Sequence, residues 1–303
     1  MGNNPVQEWC SLRFRRLLTG APDGVAPWTG EISEGVGEGL FAPGEAPWVV
    51  HGDIATLVGG VRALLMQALH PGSLAGVRTH SRYREDPLGR LTGTIRWLTV
   101  TTFASREAVE REAGRVNRMH DRVKGEYRSA TGESRSYRAA DPDLLRWVHV
   151  AFMDSFLRCH QLYSWRPIPG GADAYVRLWA RSVEPLGLTE VPRSEAELVD
   201  CMAGFLPELT VNDHTREVLQ WLRDPPLPFV ARRVYSLLFQ AALASLPEEH
   251  RRLVGIRSLP MPVIRPLVRG MLRSIRILIG EKSPLEEAAL ERLGRRGEGT
   301  EER

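Results

Sequence analysis

From Asp53 to Leu69 the apolar residues Ile54, Leu57, Val58, Val61, Leu64, Leu65, Ala68 and Leu69 recur every three or four positions. Only a helix puts residues so spaced on one side, and the stripe is broad enough to be mostly buried. A strand would need alternation, and no convincing period-two run occurs in the chain. The helical spacing returns repeatedly downstream. The chain therefore reads as all-α: one domain of about eight or more helices, without an internal repeat. Pro71 closes this first helix and biases His70 away from helical geometry, so an imidazole can point out of the bundle there.

Residues 1–48 are rich in Gly, Pro and Trp and show little periodicity, so they read as an irregular N-terminal arm pinned by Trp28, Phe41 and Trp48. From Gly89 a helix is expected, with Leu91, Ile95, Leu98 and Phe103 inward and Arg90 and Thr94 on one face, one turn apart. Ser105 is suited to cap the next helix, with Glu107 in its first turn. That helix places Val109, Ala113, Val116, His120 and Val123 on one stripe up to a stop at Gly125, so His120 faces the core. A loop is expected over Tyr127–Ala140. Asp141 and Pro142 then open the helix DPDLLRWVHVAFMDSFLRCHQLY, with Leu145, Val148, Phe152, Phe156 and Cys159 apolar, His149 at their border and His160 near the same azimuth. Further helices are expected near Ala172–Leu186, Glu195–Leu206, Val211–Leu222 and Val230–Ala244. The helical domain spans 49–284, and the charged tail 285–303 reads as a solvated helix or disordered.

Hydrophobic and charged fractions of 43% and 25% are those of an ordinary globular protein. A balance of 40 basic against 37 acidic residues does not by itself point to nucleic acid. Lys124 and Lys282 are the sole lysines, a skew expected of a GC-rich genome, so the arginine count says little about phosphate recognition. Cys10, Cys159 and Cys201 form neither a disulfide framework nor a zinc ribbon. The N-terminus lacks an apolar signal core, Val6 fails the myristoylation pattern, and no run approaches the roughly 18 apolar residues of a spanning helix. The expectation is a cytoplasmic protein whose segment Met271–Ile279, broken by two arginines, at most touches a membrane surface. H-E-x-x-H, E-x-x-H, C-x-x-C-H, G-x-G-x-x-G, Walker A and G-x-S-x-G patterns are absent.

The chemistry therefore rests on buried imidazoles. One such histidine is commonly a core residue bonded to a carbonyl. His120, His149, His160 and the Arg90/Thr94 pair, all on helices expected to pack together, would be costly to bury without a ligand. A neutral imidazole facing a bundle interior suits a metal or an axial haem position. Asn117, one turn before His120, is a candidate neighbour for its second ring nitrogen, and Arg118 or Arg122 a candidate partner for propionates. Trp147, Phe152 and Phe156 read as core, His70 and His80 as residues of a pocket entrance, and His214 and His250 as surface. Three classes stay open on these residues: a haem enzyme, a non-haem metal-dependent enzyme using the histidines, and a non-catalytic helical binding protein for a hydrophobic ligand.

The segments LLMQALHPGSLAGVRTHSRYREDPLGRLTGTI, RVNRMHDRVKG and DPDLLRWVHVAFMDSFL, and more loosely VPRSEAELVDCM, resemble the DUF2236 family, which includes the mpaB-type oxygenases and the latex clearing proteins, or rubber oxygenases. The resemblance spans roughly residues 50–250. It implies an all-α bundle, globin-like in general character, enclosing a non-covalent haem b whose iron uses dioxygen as co-substrate. Oxidation or oxidative C=C cleavage of a hydrophobic, isoprenoid- or polyketide-like small molecule is the activity it implies. By motif His120 is similar to the iron ligand, Arg90 and Thr94 to the distal Arg-x-x-x-Thr, and His149 to a histidine near the haem. Gly93 stands where the rubber-oxygenase motif carries lysine, so a lysine-closed resting state is not expected. The missing secretion signal argues against rubber as the substrate.

Overall fold

The computed structural model describes residues 5–19, 21–35, 37–80, 87–280 and 283–301. The first helices are α1 (Pro5–Thr19), α2 (Thr29–Ser33), α3 (Ala46–His51), α4 (Thr56–Leu69), α5 (Pro71–His80), α6 (Pro87–Phe103) and α7 (Arg106–His120). A hairpin of β1 (Lys124–Arg128) and β2 (Ser134–Arg138) leads into α8 (Pro142–Tyr163). Then come α9 (Gly171–Trp179), a 3₁₀ segment Ala180–Leu186, α10 (Glu195–Gly204), a 3₁₀ turn Leu206–Glu208 and α11 (Asp213–Arg223). The chain closes with α12 (Phe229–Ala244), α13 (Glu248–Val254), α14 (Met261–Ile279) and α15 (Pro284–Glu301). The fold is all-α, and the hairpin is its one sheet among the described residues.

α4 and α8 lie against each other at the centre. Leu65, Met66 and Leu69 from α4 and Trp147, Met153 and Leu157 from α8 are fully buried, each contributing about 1.5–3 kcal/mol by leaving water. α5, α11, α12 and α13 flank α4, while α3, α9, α10 and α14 flank α8. A glycine permits the close central approach. A methyl group on Gly59 would lie 2.6 Å from Phe156 Cδ1 and 3.3 Å from Phe156 Cα, so the neighbouring backbone blocks the ring's escape. Gly59→Ala is expected to lower stability by about 1–3 kcal/mol despite alanine's better helix propensity. A urea-denaturation midpoint at or above that of the parent would refute this packing argument.

Both central helices carry a charge into this core. Arg62 is fully buried, its Nη2 2.6 Å from Asp154 Oδ2, while Nη1 donates to Ser155 Oγ at 2.8 Å and Nε to the Ser245 carbonyl at 3.3 Å. Arg158 approaches the other Asp154 oxygen at 3.5 Å. The pair thus ties α4, α8 and the end of α12 together.

Several expectations need correction. His70 does not point out of the bundle: it is buried, and its Nδ1 accepts the Gly72 and Ser73 backbone N–H groups, capping α5 with an imidazole. Its Nε2 faces Glu208 Oε2 at 3.4 Å, long for a hydrogen bond. α7 ends at His120 rather than at Gly125, which instead pairs with Tyr137 in the hairpin that replaces the expected loop. Strand β1 packs on α5, where Gly72 leaves room for the Tyr127 ring.

The N-terminal segment read as irregular contains α1 and α2, although Trp28, Phe41 and Trp48 do pin it, all three being buried. The C-terminal segment forms a helix, one of its two expected states, but that helix is not solvated throughout. α15 packs on α2, burying Ala289 and Arg292, whose Nη1 donates to the Ile32 carbonyl at 2.6 Å. His250, expected at the surface, is buried with its ring stacked on Trp147 at an interplanar angle of 3°; His214 is exposed as expected.

Candidate functional site

α6 and α7 form one unit. Ser105 turns the chain between them and caps α7, its Oγ accepting the Ala108 N–H at 3.3 Å. One turn further, Glu112 is buried and accepts hydrogen bonds from Arg96 Nε of α6 at 2.9 Å and from Arg115 at 2.6 and 2.8 Å. Burial alone would raise its carboxyl, but the two guanidiniums outweigh it and hold Glu112 below the usual carboxylate range. Arg96 also reaches Glu31 of α2 at 2.9 Å, so one ionic network fixes the two helices and the N-terminal segment. Sequence periodicity does not find Glu112, because a carboxylate on an apolar stripe reads as an interruption.

His120 occupies the last position of α7, one turn beyond the buried Val116, on the stripe that also buries Val109 and Ala113. The ring is half-buried and its Nδ1 is fully enclosed, without a hydrogen-bond partner among the described residues. Burial lowers its pKa, opposed by Asp121, so the imidazole is neutral at pH 7 with a lone pair to give. Asn117 lies half-buried on the preceding turn, but its Nδ2 donates to the Pro185 carbonyl at 3.4 Å, tying α7 to the 3₁₀ segment rather than to His120. Arg122 and Arg118 are exposed. Thr94 is half-buried on α6, and deeper along that helix Thr101 Oγ1 is buried without a partner among the described residues. Arg90 lies in the first turns of α6, and His80 ends α5; both side chains lie outside the described residues, as do Glu85 and Asp86.

The second set sits on α8. His149 is buried, its Nε2 has no partner among the described residues, and burial alone lowers its pKa to about 3. One turn on, Phe152 meets Phe156 with ring centroids 5.9 Å apart. His160, at the helix end, donates from Nε2 to the Arg166 carbonyl at 2.8 Å, which leaves Nδ1 as an enclosed, unpartnered lone pair. His149 and His160 are therefore both buried bases, not surface groups.

Sequence reasoning missed His51, which ends the short α3. Thr102 of α6 donates its hydroxyl proton to the Leu98 carbonyl at 2.6 Å, so at 2.8 Å from His51 Nδ1 it can only accept. Nδ1 thus carries the proton, and Nε2 accepts the Tyr175 O–H at 2.9 Å. The ring is enclosed by Phe156 and Trp179, and burial, assisted by His160, lowers its pKa to about 3. His51 is a fixed neutral strut that locks α3, α6 and α9 into one orientation. Its helix is too short for periodicity to show.

The fold and these residues define an all-α domain whose interior carries buried imidazoles and hydroxyls among aromatic rings. Among the described residues no three His, Cys, Asp or Glu side chains gather as a metal-binding group. Residues 48–277 match the family model described as ER-bound oxygenase mpaB/B'/Rubber oxygenase, catalytic domain, and the chain belongs to that family, an oxygenase family. No curated protein and no solved structure matches the chain.

Proposed function

We propose that this oxygenase is haem-dependent, holding haem b through His120 and oxidising or oxidatively cleaving a C=C bond of a hydrophobic, isoprenoid- or polyketide-like small molecule. The observation that carries the reading is the enclosed, unpartnered Nδ1 of a neutral His120 at the end of α7. A buried nitrogen without a partner is costly, and a metal bond removes that cost. The unpartnered hydroxyl of Thr101 and Nε2 of His149 are further polar atoms able to face a bound group.

When bound, haem supplies a redox-active iron for dioxygen activation. The chain's own residues do the rest. Arg90 and Thr94 bring a guanidinium and a hydroxyl, donors that stabilise negative charge as it develops on dioxygen. His149, held neutral by burial, offers Nε2 as a hydrogen-bonding atom to a bound group without carrying a charge into the apolar interior. Phe152 and Phe156 exclude water and offer apolar surface to substrate. Asn117, through Pro185, fixes the helix turn that presents His120, and Arg122 at the surface is the candidate partner for a propionate.

Expression with haem precursors followed by visible spectroscopy tests the reading. A Soret band is expected in the parent protein, and His120→Ala should lose the band or at least tenfold in haem affinity, with its helical circular dichroism unchanged. Colourless parent protein, or an unaltered Soret band in His120→Ala, would overturn the assignment. Arg90→Ala is expected to keep haem and lose oxygen-dependent turnover.

A further inference from the structure

Three tyrosines differ in what their hydroxyls meet. Tyr163 donates to the Ala241 carbonyl at 2.9 Å and Tyr235 to the Leu222 carbonyl at 2.6 Å, acceptors that do not take up a proton. Tyr175 donates instead to a base, His51 Nε2, at 2.9 Å. The pair is closed off from water: Tyr175 is fully buried, and Phe156 and Trp179 meet the His51 ring edge-on. Burial, with the Asp154 carboxylate adding to it, holds the Tyr175 phenol well above its usual range, so the hydroxyl keeps its proton at rest.

The partners of the imidazole are already set for a second proton. His51 Nδ1–H points at Thr102 Oγ1 at 2.8 Å, and Nε2 presents only its lone pair to the phenol. A proton crossing the Tyr175–His51 bond would find both imidazolium N–H groups satisfied, Nδ1 by Thr102 and Nε2 by the phenol oxygen. Nothing has to rotate, and the separation is within the reach of direct proton transfer. The proton does not cross at rest, because a phenol is too weak an acid to protonate an imidazole whose pKa is about 3. Loss of one electron reverses this, since a phenol radical cation is a far stronger acid than that imidazolium. The Phe156 ring lies 5.2 Å from the His51 ring and 5.9 Å from that of Phe152, centroid to centroid. The pair therefore stands one ring behind the apolar wall proposed to meet substrate.

We propose that Tyr175 and His51 form a redox-active pair that holds one oxidising equivalent as a phenoxyl radical. Tyr175 gives one electron to a one-electron oxidant, its O–H bond breaks, and the proton forms an N–H bond at His51 Nε2. A neutral phenoxyl and an imidazolium result, and an electron from an external reductant such as ascorbate reverses the step. In the working protein the oxidant is the dioxygen-activating centre turning over without substrate, and only this source rests on the function proposed above. The test supplies the oxidant from outside: flash photolysis of the full chain with ruthenium tris-bipyridine and hexaammineruthenium(III) as quencher. A missing Soret band would thus count against the haem assignment and leave this experiment standing. Freezing after the flash is expected to trap a tyrosyl EPR signal with the high-field signature of a hydrogen-bonded phenoxyl. Tyr175→Phe should remove that signal with helical circular dichroism unchanged. His51→Gln, which can accept the phenol hydrogen bond but not its proton, should slow radical formation about a hundredfold. No tyrosyl signal, a signal unchanged in Tyr175→Phe, or formation at the parent rate in His51→Gln overturns the proposal.

Discussion

Asp154→Ala is expected to remove about 3–5 kcal/mol of stability, enough to unfold much of the population of an ordinary domain near body temperature. The size follows from what stays behind. Arg62 is fully buried, and its strongest partner is Asp154 Oδ2 at 2.6 Å; Ser155 and the Ser245 carbonyl are neutral and cannot balance a guanidinium. Asp154→Ala therefore leaves a cation in the α4–α8 interface without its counter-charge. The double variant Arg62→Met/Asp154→Leu removes both charges while filling similar volume, and should recover most of the loss. Urea-denaturation midpoints for the parent, the single variant and the double variant check this. A loss under about 1 kcal/mol in Asp154→Ala would mean that water reaches Arg62.

Acid is expected to unfold the protein steeply, beginning below pH 6.5. Burial holds His51 and His149 at about 3 and His250 at about 4, against 6.5 for a free imidazole. Folded-state values below the unfolded one mean that the stability is fully present above pH 6.5 and is lost as pH falls toward the folded values. Between pH 6 and 4 the unfolded chain takes up three protons that the folded chain refuses, about 4 kcal/mol per pH unit for the three together. A domain of ordinary stability cannot withstand more than a few units of that slope.

Melting temperatures from pH 8 to 4 give the measurement. His250→Phe, which keeps an aromatic ring against Trp147 and removes one titrating site, should remove about a third of the slope that His51, His149 and His250 contribute. A flat profile down to pH 5 would show that the imidazoles are hydrated. His70, His120 and His160 shift in the same direction and steepen the limb further.

What the sequence reveals depends on whether burial is one-sided and continuous. α4 and α8 are legible because their apolar residues repeat over many turns, and the Ser105 cap and the Asp141–Pro142 start are local signals that the structure keeps. The inward stripe ending at His120 is legible for the same reason. The hairpin is not: KGEYR and SRSYR expose nearly every residue, so neither strand shows an apolar alternation to detect. α15 reads as solvated because its burial uses Ala289 and the stem of Arg292 rather than large apolar side chains. His51, His70 and His250 are missed or misplaced because each is buried by groups distant in sequence, namely Thr102 and Tyr175, the Phe205 ring, and Trp147. A single imidazole in a polar stretch gives no local sign of such company.

The hairpin has a practical side. It begins four residues after His120 and ends four before Pro142, so it is the spacer that sets how far the His120 turn stands from the helix bearing His149. Its base is held against α5, but its tip at Gly132, with a φ of +87° and open space around it, touches nothing that the core needs. Residues added at that tip would be tolerated, whereas residues added at Asp121 or Ala139 would shift one histidine-bearing helix against the other. The tip is thus the place on this chain to graft a fluorophore, an affinity handle or a tether.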